Sequence, residues 1–400
     1  MRQKNNRGVR VLVAGCALQF LLGILYVWSV FVKPVSEHLD WNIDGVKLTA
    51  SFMLCFFAVG MLAGGKLQAK IGTKLVTLIG GLGMAAGMLI SSFARASAPQ
   101  LIYVSYGILG GLSVGMAYNA IVSCAPRWFP DKKGFVTGVS ICSFGFSTVV
   151  FAPLIEKLVA VMGLAAAFRV LALVFGAATL LLFSFIVMPE SAAAGAAAGG
   201  SGRQYTTSEL LKTPKFYFLV VSLMLGIATY FVLNPSFKTL ALERGMADSL
   251  ATGLVMSTGI ANALGRLAIP VLSDKAGSKN AALVIMTLTA ACGISLVFAK
   301  GTLLFAAIAL AAFCYGGYPG LYLLLTGEHF GMKHVASNYG AVMLGFSLAA
   351  LVFPMLIGNI PGDTAKFVTL AMAAAIGAAL VLFIKKKDKL SFIVIKHERK

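Results

Sequence analysis

Acidic side chains are scarce in this chain. Its 400 residues carry 14 Asp and Glu against 33 Lys and Arg, and charged residues make up only 12%. The one acid beside a base within an apolar stretch, Glu156–Lys157, falls at its end and reads as a solvated pair, and no nucleophile–base pattern or nucleotide-binding loop occurs. Catalysis and ATP-driven transport therefore have no support, and the expectation is a protein that is not an enzyme and carries no cofactor. The six cysteines are scattered, mostly within apolar runs, and read as small core residues. His38, His329, His334 and His397 are expected in loops or the tail, none at metal-ligand spacing, so no metal site is expected. The net charge of +19 does not indicate nucleic acid, because the basic residues are dispersed among short loops and tails.

What the chain has in abundance is apolar surface. It is 59% hydrophobic with a mean hydropathy of +0.89. A soluble protein of this length has no use for so much, so the chain reads as a polytopic membrane protein with the lipid bilayer as its surroundings. Twelve segments reach spanning length, near 11–32, 47–69, 75–93, 99–125, 134–157, 163–187, 215–240, 249–273, 280–299, 302–327, 336–358 and 363–384. Strands are unsuited to runs of this length. The first run is too long for a signal-peptide core and is expected to be the first membrane helix. Basic residues concentrate on the side of the termini, with Lys66, Lys70, Lys74, Arg127, Lys132, Lys133, Lys275, Lys279 and 385-KKKDK-389 among them. Both termini are therefore expected to be cytoplasmic, in a multi-pass protein of the cytoplasmic membrane.

The one long connection, 188–214, holds the small-residue tract 191-SAAAGAAAGGSG-202 and reads as a linker. It divides the chain into a bundle of six helices at 1–187 and another at 215–384, followed by a basic tail at 385–400. The halves resemble each other. The stretch 60-GMLAGGKLQAKIGTK-74 parallels 265-GRLAIPVLSDKAGSKN-280, with Gly60, Gly72 and Lys74 matching Gly265, Gly277 and Lys279. Phe129 pairs with Phe330, and Gly138 with Gly340, at nearly the same separation. Internal repeats with a site at their interface are the mark of secondary transporters.

Within the apolar run 251–273 stands Arg266. A guanidinium there costs about 2.5–3.5 kcal/mol on insertion scales and generally faces a cavity or the protein interior. The alternative is snorkelling to the interface. Asn262 lies one turn away on the same face, so a fork of donors and an amide share a stripe suited to a carboxylate. Gln19 and Tyr26 share a face of the first helix, Tyr118 lies in the fourth, and Tyr315, Tyr318 and Tyr322 recur at three and four residues in the tenth. Each is a candidate for the cavity; helix–helix hydrogen bonding or aromatic packing is the alternative for each. Pro319 amid glycines and Pro235 after Asn234 mark places where a helix bends or gates.

Over its length the chain resembles the major facilitator superfamily. The resemblance rests on 65-GKLQAKIGTK-74 and its copy 270-PVLSDKAGSK-279. It implies that these loops act as conformational latches through Lys70, Lys74, Asp274, Lys275 and Lys279; plain positive-inside anchoring is the alternative. Ala69 stands where the family's first loop carries an acid. A narrower resemblance is to the oxalate/formate antiporter family and its monocarboxylate porter relatives. It is carried by 19-QFLLGILYVWSVF-31, 127-RWFPDKKGFVTG-138, 209-ELLKTPKFYFL-219, the Asn262–Arg266 pair and 338-NYGAVMLGF-346. Oxalate antiporters have a second cation, a Lys, where this chain has Phe346, which argues for a substrate with one carboxylate. Monocarboxylate porters carry an acid at the position of Asn262, which cannot titrate.

The expectation is an all-α membrane protein of twelve helices in two pseudo-symmetric six-helix bundles. It would move a small monocarboxylate such as pyruvate, lactate or formate by alternating access, with a co-transported proton or an exchanged anion, as a monomer. Arg266, Asn262, Gln19, Tyr26, Tyr118, Tyr315 and Tyr318 would bind it and Phe346 would limit its size. A dicarboxylate antiporter, an exporter of another small organic compound and a non-transporting carboxylate sensor are the competing readings.

Overall fold

The computed structural model describes residues 2–189 and 203–384. The tract 191–202 and the basic tail 385–400 lie outside them. Every long element is a helix: α1 Asn6–Leu39, α2 (43–71), α3 (73–91), α4 Tyr103–Trp128, α5 Lys133–Met162, α6 Leu164–Phe185, α7 Pro214–Leu233, α8 Ser249–Ala276, α9 Ser278–Phe298, α10 Gly301–Phe330, α11 Val335–Ile357 and α12 Asp363–Phe383. The residues of α2 and α3 run as one stretch of 49, about 73 Å at 1.5 Å per residue, against a hydrocarbon core of about 30 Å. Gly72, with φ of 83°, breaks it into two spans, so the twelve expected spans are present. Gly277, with φ of 84°, makes the equivalent break between α8 and α9. Both turns need a positive φ that a side chain would strain. His38 and His329 lie in the last turns of helices rather than in loops, because the helices outrun their apolar cores.

The two six-helix bundles are related by a pseudo-two-fold that is visible in their closest contacts. A Cβ on Gly60 of α2 would strike the Leu112 carbonyl of α4; one on Gly265 of α8 would strike that of Phe313 in α10. Gly115 of α4 lies against the Phe57 carbonyl, and Gly316 of α10 against that of Asn262. The same pairing recurs between the bundles, where Gly340 of α11 abuts Leu62 and Gly138 of α5 abuts Leu267. Without a hydrophobic drive in lipid, such backbone-close contacts are what hold helices together. The glycines of α10, expected to bend it, instead seat α8, since Gly317 meets Ile269 and Gly320 meets Pro270. The opposite face of α8 shows Met256, Ile260 and Leu264, each more than half exposed, as a lipid-facing stripe requires.

Two helices are broken, α1 midway along its length and α7 at its end. In α1, Gly23–Val27 winds as a 3-10 turn between α-helical segments. After α7, Asn234–Ser236 forms a 3-10 turn before the short helix Phe237–Glu243. Pro235 lies in this second break, as expected.

Candidate functional site

Arg266 is 1% exposed, one of the largest fully buried side chains of the described residues. Its Nε donates to Asn262 Oδ1 at 2.9 Å, the one-turn contact expected from the spacing. Its Nη1 crosses to the other bundle and reaches the Ile141 carbonyl of α5 at 3.4 Å. The guanidinium carbon sits 5.4 Å from the Tyr26 ring and 5.9 Å from the Phe144 ring. This crossing is possible because α5 has Gly145 beside it, where a Cβ would lie 2.7 Å from Nε. Nη2 is buried with no hydrogen-bond partner among the described residues. A buried charged donor left unpaired costs at least about 1–3 kcal/mol, which makes Nη2 a candidate contact for an acceptor.

Aromatic rings surround this charge in two groups. From the first bundle come Tyr26, Tyr118 and Phe144, with Tyr26–Phe144 and Tyr118–Phe144 centroids 5.5 and 5.0 Å apart. From the second come Tyr230, Phe231, Tyr315 and Phe346. Tyr230 stacks on Tyr315 at 3.9 Å, and Phe346 lies 5.9 Å from Tyr315 and 5.1 Å from Phe231. Tyr26, Tyr315 and Tyr118 are the tyrosines near enough to feel the Arg266 charge, with the Tyr26 side chain close to the guanidinium. Gln19 is fully buried; its Nε2 donates to the Tyr118 carbonyl at 3.3 Å, while its Oε1 has no partner among the described residues.

The structure separates Tyr318 from this group. Its hydroxyl pairs with Thr289 Oγ1 at 2.9 Å, and its ring packs on Gly226 and near Tyr322. Tyr322 in turn meets Ser222 at 2.8 Å. Three residues along a helix turn the side chain by about 60° from the starting direction. That suffices here to send Tyr315 to the charge and Tyr318 into the second bundle. Trp28 is also structural, since its Nε1 donates to the Val46 carbonyl at 3.0 Å.

The bundles are joined at the α2–α3 end. Asp274 accepts from the backbone N–H groups of Gly134 at 2.7 Å and Phe135 at 2.9 Å, capping α5 of the other bundle. The equivalent position is Ala69, which instead lines a cavity of about 160 Å³ with Ala336 and Ser337 of α11. There Asn119 bridges the bundles, donating to the Met61 and Ala336 carbonyls at 2.6 and 2.7 Å. Two of the lysines make contacts within their own bundles. Lys74 lies 5.3 Å from the Phe183 ring, and Lys279 donates to the Leu382 carbonyl at 2.8 Å. Lys70 and Lys275 are exposed. Pro319 stays inside a continuous α10, its carbonyl accepting from the Tyr339 hydroxyl at 3.0 Å.

The later part of the connection 188–214 is fastened to the start of α11. Asn338 donates to the Tyr205 carbonyl at 2.9 Å and accepts from Thr207 at 3.1 Å, and Gln204 accepts from the Lys333 N–H at 3.0 Å. His334, beside these contacts, is held below its ordinary value by burial and by the Lys333 charge. The Asn-Tyr-Gly run at 338–340 thus ties linker, α10 and α2 to one turn of helix.

Sequence reasoning missed Tyr230, Phe231, Phe144 and Gly145. A signal for Tyr230 was available: 20-FLLGI-24 is echoed by 223-LMLGI-227, and each is followed within three residues by a tyrosine.

Comparison with known proteins agrees with this architecture. The family model of the Major Facilitator Superfamily matches residues 12–354. The chain is 26% identical to the oxalate:formate antiporter of Oxalobacter formigenes, covering 95% of this chain and 91% of that one. It is also 26% identical to monocarboxylate transporter 13 of Rattus norvegicus, covering 90% and 85%. The outward-conformation crystal structure of the transporter FucP superposes with a TM-score of 0.72 at 16% identity, over 94% of this chain and 99% of that one, which speaks to fold alone.

Proposed function

The chain belongs to the Major Facilitator Superfamily, and from that premise we propose that it carries a small monocarboxylate across the cytoplasmic membrane by alternating access. The observation that carries this reading is the buried Nη2 of Arg266, unpaired among the described residues and ringed by aromatic side chains from both bundles. A carboxylate fits that donor, and the rings suit a short apolar body. In the proposed cycle, Arg266 holds the anion, and Asn262 fixes the guanidinium through Nε. Tyr26, Tyr118, Tyr315 and Gln19 enclose it, and Phe346 keeps the site short. The moving bodies are residues 1–187 and 215–384, joined by 188–214, with both termini and the α2–α3 end cytoplasmic. One chain supplies both sides of the site, so a monomer suffices.

Anion exchange is the coupling the residues favour. Asn262 occupies the position from which an acid would carry a proton, and Asp274 and Glu328 lie at helix ends well removed from Arg266. An unpaired guanidinium carries a desolvation penalty of about several kcal/mol, which a bound anion offsets. The loaded carrier therefore reorients more readily than the empty one.

The test is uptake of labelled pyruvate, lactate, formate and oxalate into proteoliposomes by the wild type, Arg266→Ala and Arg266→Lys. Saturable monocarboxylate uptake should fall at least roughly a hundredfold in Arg266→Ala, the scale of losing a charge-assisted pair. It should rise on preloading with unlabelled anion and respond little to an imposed pH gradient. Uptake indifferent to Arg266 would sink the reading, and uptake driven by pH alone would replace exchange with proton symport.

A further inference from the structure

We infer that Tyr230 is a specificity-determining residue of this transporter: with Tyr26 it forms a lid over Arg266 and sets how long a substrate body the site accepts. The inference rests on the carboxylate reading of Arg266 and extends it to a residue that neither the charge pattern nor the loop motifs indicated.

Three observations place Tyr230 in that role. The first is symmetry. Tyr26 comes three residues after Gly23 in α1 and Tyr230 four after Gly226 in α7, one position apart in register after the matching runs 20-FLLGI-24 and 223-LMLGI-227. Both glycines are close-approach points. A Cβ on Gly23 would strike the Phe144 carbonyl, and one on Gly226 would lie 2.6 Å from the Tyr318 ring. Each tyrosine is thus set at a fixed depth by a contact in its own bundle.

The second is position along the helices. Both α1 and α7 run from the α2–α3 end toward the opposite end, and both break near the tyrosine, at Gly23–Val27 and at Asn234–Ser236. Tyr26 lies inside its break and Tyr230 one turn before its own. A break in the helical ladder lets the segment pivot without unwinding the whole span.

The third is exposure. Tyr118, Tyr315 and Phe346 are almost fully buried, whereas Tyr26 and Tyr230 are half-buried. They are the tyrosines of the ring that are not fully enclosed. Tyr230 lies flat on Tyr315, 12° from parallel, so its ring roofs the second bundle's half of the site. A roof of that kind blocks chain length more than it selects the carboxylate, because the headgroup is held below by Arg266.

The experiment measures uptake of 2-oxo acids of increasing length, from pyruvate to 2-oxohexanoate, in proteoliposomes of wild type, Tyr230→Ala, Tyr230→Phe and Arg266→Ala. Removing the ring should raise kcat/KM for 2-oxohexanoate relative to pyruvate by roughly tenfold or more, the scale of one to a few methylenes in an apolar site. Tyr230→Phe should keep the wild-type preference. An unchanged ratio in Tyr230→Ala, with uptake still dependent on Arg266, defeats the lid alone. Failure of the wild type to take up any acid of the series defeats the carboxylate reading and the lid with it.

A second measurement covers the case in which Tyr230→Ala does not fold. Tyr230→Cys is exposed to a membrane-impermeant thiol reagent, with wild type correcting for the six native cysteines. Saturating pyruvate should slow the added modification at least about fivefold, consistent with a site that encloses most of its ligand. Modification at an unaltered rate removes Tyr230 from the site.

Discussion

At the scale of single residues, the site is governed by one charge and by what gives it room. Gly145 matters as much as Arg266, because any side chain there meets Nε. Gly145→Leu should therefore abolish anion uptake while leaving the protein folded, checked by uptake alongside size-exclusion behaviour in detergent. Phe346 is 2% exposed and lies among Phe231 and Tyr315. Phe346→Lys would bring a second cation to the ring opposite Arg266. The expected result is weaker pyruvate uptake and new inhibition by oxalate, read from competition curves. Oxalate inhibition unchanged from wild type would mean that residue 346 does not set the charge preference.

Among elements, α8 is the one on which the others converge. It is held on one side by glycines of α5 and on the other by glycines of α10, so its register is fixed by backbone contact. Gly316→Leu drives a side chain into the Asn262 backbone and should lower stability by about 1–3 kcal/mol, seen as a lower midpoint of thermal aggregation in detergent. Asp274→Asn exchanges a charged cap for a neutral one at the start of α5. The opening equilibrium at this end should shift by roughly tenfold, measured as faster cross-linking or labelling of a cysteine placed beside Gly134. The short helix Thr207–Leu210 has its own acid switch. Hydrogen bonds from Thr206 hold the Glu209 carboxyl below its ordinary 4.5, so its capping contribution is complete above that value and fades as pH falls through the lowered one. His334, beside the same contacts and held below its ordinary 6.5, adds a second loss at low pH, so linker anchoring should be constant above that value and weaken as pH falls below it, read as faster labelling of a cysteine placed at Gln204.

Across the whole molecule, the two bundles are copies in packing but not in charge. One inter-bundle joint is capped by Asp274; its counterpart has Ala69, Asn119 and the linker segment instead. Ala69→Asp would place a carboxylate beside the first N–H groups of α11, near Arg127 and Lys333. It should stabilise the joined state and slow turnover several-fold with little change in KM, by about the 1–2 kcal/mol of a charge at a helix N-terminus. Unchanged turnover would show that this joint does not limit the cycle.

Much of this is legible in the chain itself. Spans of about twenty apolar residues must be helices in lipid, because every backbone group needs a partner there. The glycine and lysine repeat points to the two-fold, and a lone guanidinium with Asn262 one turn away points to the candidate site. Helical spacing alone fixed that contact, which the structure shows at 2.9 Å. What spacing could not decide was which face of a helix meets which neighbour. Tyr315 and Tyr318 look equivalent on a stripe, yet one joins Arg266's ring and the other bonds Thr289. Tyr230, Gly145 and the Ile141 carbonyl come to Arg266 from helices far away in sequence. Their meeting depends on crossing angles set by glycine contacts summed over the whole bundle, and no local pattern in the chain encodes that sum.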